Sequence, residues 1–126
     1  MSWNRIKAEG GAAIGSNLAW KKLETLDLSE NEIGHEGAAA IAHNTIWTHL
    51  KFLNLSRNLI DDEGGEAIDQ NTRWISLKSL SLANNQLGDK SVTVITSNTT
   101  WAYLKKLDLG YNKFGSDGAA AITANI

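Results

Sequence analysis

Read for its apolar positions, the chain repeats one phrase. In LETLDLSENEI, apolar residues stand at Leu23, Leu26, Leu28 and Ile33, with an asparagine at Asn31. The phrase returns as LKFLNLSRNLI from Leu50, LKSLSLANNQL from Leu77 and LKKLDLGYNKF from Leu104. Alternating apolar positions mark a short strand with one buried side. The pattern predicts strands over 24–29, 51–56, 78–83 and 105–110. Each phrase runs into a segment such as GHEGAAAIAHNTIW, where Gly37, Ala40, Ile41 and Asn44 keep a three-four rhythm. That is the period of a helix face. It predicts helices over 36–43, 63–70, 90–97 and 117–124, and a further one over 9–16.

The units stay in phase. Trp20, Trp47, Trp74 and Trp101 are spaced 27 residues apart, as are Asn31, Asn58, Asn85 and Asn112. Ile14, Ile41, Ile68, Ile95 and Ile122 keep the same spacing of 27. A fixed period with one strand and one helix per unit predicts stacked repeats. The expected organisation is a single domain over 1–126: a partial repeat 1–22, repeats 23–49, 50–76 and 77–103, and a partial repeat 104–126. Parallel strands stack about 4.8 Å apart, whereas helices need about 10 Å. The stack must therefore curve. The predicted fold class is α/β, a curved solenoid with a parallel sheet on the concave face and helices on the convex face.

This leucine and asparagine spacing resembles the leucine-rich repeat family. The long unit with its EGAAAIA helix resembles the ribonuclease-inhibitor-like class, although a uniform period of 27 is short for that class and tryptophan stands after the helix where leucine is usual. The resemblance implies a binding module. The style of NTTW and EGAAAIA is similar to members found in effectors of intracellular bacteria.

Most letters that recur have a structural explanation. Leu26, Leu28 and Ile41 point inward, and the asparagines from Asn31 to Asn112 are expected to form a ladder of amide bonds between repeats. The tryptophans fill the corner between helix and next strand. Asp62, Asp89 and Ser116 stand where helix N-caps belong, and Asn17, Asn44, Asn71 and Asn98 where a left-handed C-cap belongs. Ala13, Ala40 and Ala67, with Val94, are expected to keep the helices close to the sheet.

A repeat protein binds through the letters that change. On the concave face one column holds Thr25, Phe52, Ser79 and Lys106, and the next holds Asp27, Asn54, Ser81 and Asp108. Beyond Ser29, Ser56, Ala83 and Gly110 come Trp3, Glu30, Arg57, Asn84 and Tyr111. Flanking the asparagines on the other side are Arg5, Glu32, Leu59, Gln86 and Lys113. The last two columns share no chemistry, as expected of a contact surface. The candidate protein-binding residues are Trp3, Arg5, Glu30, Glu32, Phe52, Arg57, Leu59, Asn84, Gln86, Lys106, Tyr111 and Lys113. Aromatic and arginine side chains are the types enriched at hot spots.

The chain has no cysteine, which removes disulfides and thiol chemistry. A net charge of −2 argues against a nucleic-acid partner. No apolar run is long enough to cross a bilayer, and MSWNRIKAEG lacks the apolar stretch of a signal peptide. These features point to a cytoplasmic protein; the alternative is secretion without a cleaved signal. His35, His43 and His49 fall in three different columns, so no metal pair is expected. Asp27 and Asp108 stand three strands apart, about 14 Å, too far for a glycosidase carboxylate pair. No enzyme activity and no cofactor are expected. The partner expected is another protein. The chain also begins in mid-repeat and stops at AITANI without a polar cap. Solenoid ends normally need caps, so self-association through the ends, or a spacer role within a larger repeat protein, is the alternative expectation.

Overall fold

The computed structural model describes residues 4–119. Expectations that fall on Trp3, on most of the helix at 117–124 and on the two chain ends lie outside those residues. Four helices alternate with four strands: α1 (Lys7–Gly15), β1 (Thr25–Asp27), α2 (Gly34–Ala42), β2 (Phe52–Asn54), α3 (Asp62–Asp69), β3 (Ser79–Ser81), α4 (Asp89–Thr96) and β4 (Lys106–Asp108). Helical backbone resumes over 116–119. The sheet is parallel, in the order β1-β2-β3-β4. Leu26, Leu53, Leu80 and Leu107 stand side by side in register. The architecture is the predicted curved α/β solenoid, with the sheet on its concave side.

The core sits between sheet and helices. Leu28, Leu55 and Leu82 from the strand side meet Ile41, Ile68 and Ile95 from the helices, all buried. Trp47, Trp74 and Trp101 are buried in the corner, and Trp20, at the first turn, is 39% exposed. Among the described residues each buried indole N–H lacks a hydrogen-bond partner. These rings act as apolar filler. The alanine column does not set the helix–sheet distance: Ala13 is exposed, and Ala40, Ala67 and Val94 are half-buried. Ala38, Ile41, Gly65, Ile68, Val92 and Ile95 face inward instead.

The strands are half as long as the alternation predicts. Asp27 accepts hydrogen bonds from the Ser29 amide and hydroxyl at 2.9 and 2.7 Å. Asn54 does the same with Ser56, and Asp108 accepts from the Gly110 amide at 3.0 Å. These side chains bend the backbone just after the strand. Pairing between turns continues past the bend, with Glu30 N–H donating to the Ser56 carbonyl at 3.0 Å and Arg57 N–H to the Ala83 carbonyl at 3.0 Å.

The helix ends also differ from expectation. The residue capping α3 is Asp61, whose carboxylate accepts from the Gly64 amide at 3.3 Å. Asp62 caps the next helix instead, accepting from Gly88 N–H at 2.8 Å, Ser91 N–H at 3.1 Å and the Ser91 hydroxyl. Asp89 repeats this one turn on, accepting from Gly115 and Gly118 at 2.7 Å each. Anions are favoured at these helix starts, and here the capping carboxylate comes from the preceding repeat. His35 holds the same place in its own repeat and meets Asp61 at 3.4 Å and Glu63 at 3.5 Å.

The asparagines after the helices are not left-handed caps. They form a second ladder. Asn44 donates to the carbonyls of Gly15 at 2.8 Å and Asn17 at 3.0 Å. Asn71 donates likewise to Ala42 and Asn44. Their oxygens accept from the turn that follows, Asn71 from Arg73 at 2.8 Å and Trp74 at 2.9 Å.

Candidate functional site

The first ladder shapes the edge where the candidate residues lie. Asn58 is fully buried. Its amide nitrogen donates to Leu28 at 2.8 Å and Ser56 at 3.1 Å. Its oxygen accepts from Asn31 N–H at 3.0 Å and Ile33 N–H at 3.4 Å. Asn85 repeats the arrangement, accepting from Asn58 at 2.9 Å and Ile60 at 3.1 Å. One oxygen thus holds the N–H groups on both sides of Glu32, and another those on both sides of Leu59.

The residue between the two clamped N–H groups turns left-handed. Glu32 has φ +57° and Leu59 φ +61°. The residue before each asparagine does so as well: Glu30, Arg57, Asn84 and Tyr111 have φ between 54° and 62°. Arg5 has φ +46°. Lys7 and Gly34 lie outside both variable columns and are left-handed as well. The variable column before the asparagines is left-handed at Glu30, Arg57, Asn84 and Tyr111, and the one after them at Arg5, Glu32 and Leu59 but not at Gln86 and Lys113. No glycine occupies either column, although a non-glycine residue held left-handed costs about 1–2 kcal/mol. Only Asn84 belongs to the types that tolerate it best.

Most side chains in these columns stand in solvent, and Glu30 is half-buried. Tyr111 is 85% exposed and Leu59 54%. Arg5 lies 3.6 Å from Glu32, and Arg57 lies 3.8 Å from Glu30. Asn84, Gln86 and Lys113 are exposed. On the sheet itself Phe52 is 47% exposed, flanked in register by Thr25 on β1 and Ser79 on β3. Lys106 follows on β4. A shallow trough of about 280 Å³ runs along this face, lined by Phe52, Ser79, Ser81, Lys106 and Asp108 among others. Phe52 and Lys106 thus share the trough. The two variable columns form a rim beside it.

Asp27 lies at the far end of the trough. Burial pushes its carboxyl up, but the Ser29 amide and hydroxyl outweigh this and hold it below the ordinary carboxylate range. Asp27, Asn54 and Asp108 serve the bend after the strand, so that column is partly structural. Asp27 and Asp108 lie on the first and last strands of the sheet. Among the described residues no three His, Asp or Glu side chains converge where a metal could sit. No helix among them is long and apolar enough to cross a membrane.

A family profile described as Leucine Rich repeat matches residues 21–42, 48–68, 75–95 and 102–122. The chain belongs to the leucine-rich repeat family. No curated protein matches it in sequence. Among solved structures it is similar to the leiomodin-1 actin-binding site 2, with a TM-score of 0.65 and 15% identity, over 90% of this chain and 67% of that one. An internalin from Listeria monocytogenes matches at a TM-score of 0.48 and 21% identity, over 89% of this chain and 35% of the internalin. These likenesses concern the fold. Leucine-rich repeat solenoids are repeat proteins whose curvature creates an extended concave surface.

The capping roles of Asp61 and Ser91 and the second ladder depend on contacts that the sequence pattern alone does not mark. Asp62 and Asp89 cap the helix of the following repeat and not their own. Ser91 did carry a signal: it replaces glycine in the column of Gly37, Gly64 and Gly118.

Proposed function

We propose that this leucine-rich repeat domain is a protein-interaction module that binds a partner protein through its concave face and the adjoining rim. The contact residues are Phe52 and Lys106 on the sheet, with Arg5, Glu30, Glu32, Arg57, Leu59, Asn84, Gln86, Tyr111 and Lys113 on the rim; Trp3 belongs to the same column. The observation that carries this reading is the left-handed backbone at Glu30, Glu32, Arg57, Leu59 and Tyr111. Sparsely populated backbone conformations persist where the surroundings enforce them, and they cluster at functional sites. A position free of functional demand and held left-handed would favour glycine or asparagine. Here it carries long charged, aliphatic and aromatic side chains instead, the types that contribute at interfaces.

The test uses capture of a partner from cell lysates by the parent chain and by two double variants. Arg57→Gly/Tyr111→Gly strips the rim, and Phe52→Ala/Lys106→Ala strips the trough. Loss of one and the same captured protein in either variant, with thermal stability kept, supports the reading. Retention of every captured protein by both variants refutes it.

A further inference from the structure

The edge where the strands begin carries a different surface. Glu24, Lys51, Lys78 and Lys105 are hydrogen-bonded to one another in a line through their backbones, each N–H to the preceding carbonyl at 2.8 Å. Lys51 pairs with Glu24 at 3.0 Å. Among the described residues Lys78 and Lys105 make no ion pair, and both are exposed. Lys106, the next residue, lines the concave trough and is not part of this row. Two large apolar side chains stand in the loops that lead into the same edge: Ile75 is 54% exposed and Tyr103 66%. The acids collect at the opposite end of the strands, at Glu36, Asp61, Asp62, Glu63 and Asp89.

Like charges on adjacent strands, about 4.8 Å apart, repel. The lysine row adds nothing to helix caps, ladders or core. We propose that this row is a docking surface for an acidic helical segment of a partner protein, laid along the solenoid axis. The spacing selects the occupant. Lys51, Lys78 and Lys105 sit at about 0, 4.8 and 9.6 Å along the stack. Carboxylates at i, i+3 or i+4, and i+7 of a helix rise about 4.5–6 and 10.5 Å. An extended chain presents same-side residues about 6.6 Å apart and falls out of step. Lipid headgroups offer anionic charge but no fixed spacing. Ile75 and Tyr103 lie beside the row and contact the apolar side of such a helix.

The probe is an alanine-rich peptide of about twenty residues with glutamates at i, i+4 and i+7 on one face. Its control has the same composition scrambled so that the acids share no face. Amide-resolved NMR titration is expected to shift Lys51, Lys78, Tyr103 and Lys105. K78Q/K105Q is expected to weaken binding about tenfold, while K7Q/K90Q, with the same change in charge, leaves it within about twofold. Equal binding of the scrambled peptide, equal loss in K7Q/K90Q, or no shift at the row overturns the proposal. So does binding to vesicles of mixed phosphatidylserine and phosphatidylcholine by a row that ignores the peptide. The residues probed are separate from the rim, so this test and that of the concave face fail independently.

Discussion

Asn58 and Arg57 are neighbours, and the structure assigns their substitutions very different costs. Asn58→Ala deletes four hydrogen bonds. The two carbonyls involved keep other donors: Leu28 receives Asn31 Nδ2 at 2.9 Å, and Ser56 receives Glu30 N–H at 3.0 Å. The loss therefore falls on the Asn31 and Ile33 N–H groups, which forfeit this acceptor inside the core. A buried donor deprived of its acceptor costs about 1–3 kcal/mol. The bond to Ile33 is long at 3.4 Å, so the sum is about 2–4 kcal/mol. Arg57→Gly loses an exposed ion pair worth about 0–1 kcal/mol and adds about 0.5–1 kcal/mol of chain entropy to the unfolded state. It also relieves about 1–2 kcal/mol of left-handed strain. Its net effect is near zero. Urea unfolding followed by tryptophan fluorescence and by circular dichroism checks both, and coincident transitions justify the free energies. If Asn58→Ala costs under about 1 kcal/mol, or Arg57→Gly costs as much as Asn58→Ala, the division into framework and contact surface is wrong.

Trp74→Ala is expected to cost about 3–5 kcal/mol. Trp74→Phe should cost clearly less, because it removes an indole N–H that has no partner among the described residues; equal losses in chemical denaturation would show that the N–H matters. At Asp62, burial pushes the carboxyl up, but the Ser91 hydroxyl, the Gly88 and Ser91 amides and the Lys90 charge hold it below the ordinary range. The folded value is the lower one, so its contribution is complete above the unfolded value of about 3.9 and fades as pH falls through the folded value. The stability gap between parent and Asp62→Asn should therefore narrow below about pH 4, and a gap that widens in urea midpoints there would refute the sign. Leu59→Gly should be neutral or stabilising in the parent and less favourable beside Asn85→Ala, which removes the clamp. Additivity in that double-mutant cycle would mean that the clamp does not hold Leu59 left-handed.

The solenoid was legible because its cause is periodic. Leucine spacing, in-phase tryptophans and the asparagine column each report a constraint that recurs in every unit, and the chain carries several copies of each. Boundaries were less legible where a local side chain overrides the period. Asp27 and Ser29 close a bend inside what the alternation extends as strand. Asp62 follows the sequence rule for an N-cap, but its carboxylate turns to the next helix, and a single-helix rule has no term for a partner 29 residues on. The asparagines after the helices fit the rule for left-handed caps equally well. Only the spatial neighbour, one repeat away, shows that they bridge carbonyls. At the site, the variable columns were visible as variation. Their left-handed backbone was not, because no glycine marks it.

That missing glycine bears on how such a fold carries a variable surface. The conformation at these positions tracks the clamp and not the residue in it. Glu32 and Leu59 differ in charge, size and polarity, yet adopt φ within a few degrees of each other. Each is bracketed by two N–H groups bound to one asparagine oxygen. Gln86 occupies the same column. Beside it Asn112 accepts from Leu87 at 3.0 Å with no matching bond from Asn85, while the Gln86 amide turns to the Ile60 carbonyl at 2.7 Å. Gln86 is not left-handed. The buried asparagine of one repeat thus fixes the backbone beneath an exposed residue of the previous one. Side chains there can change without moving the scaffold. The strain that each non-glycine residue introduces is borne by bonds of the buried asparagines, and this separates the chemistry of the exposed positions from the stability of the stack.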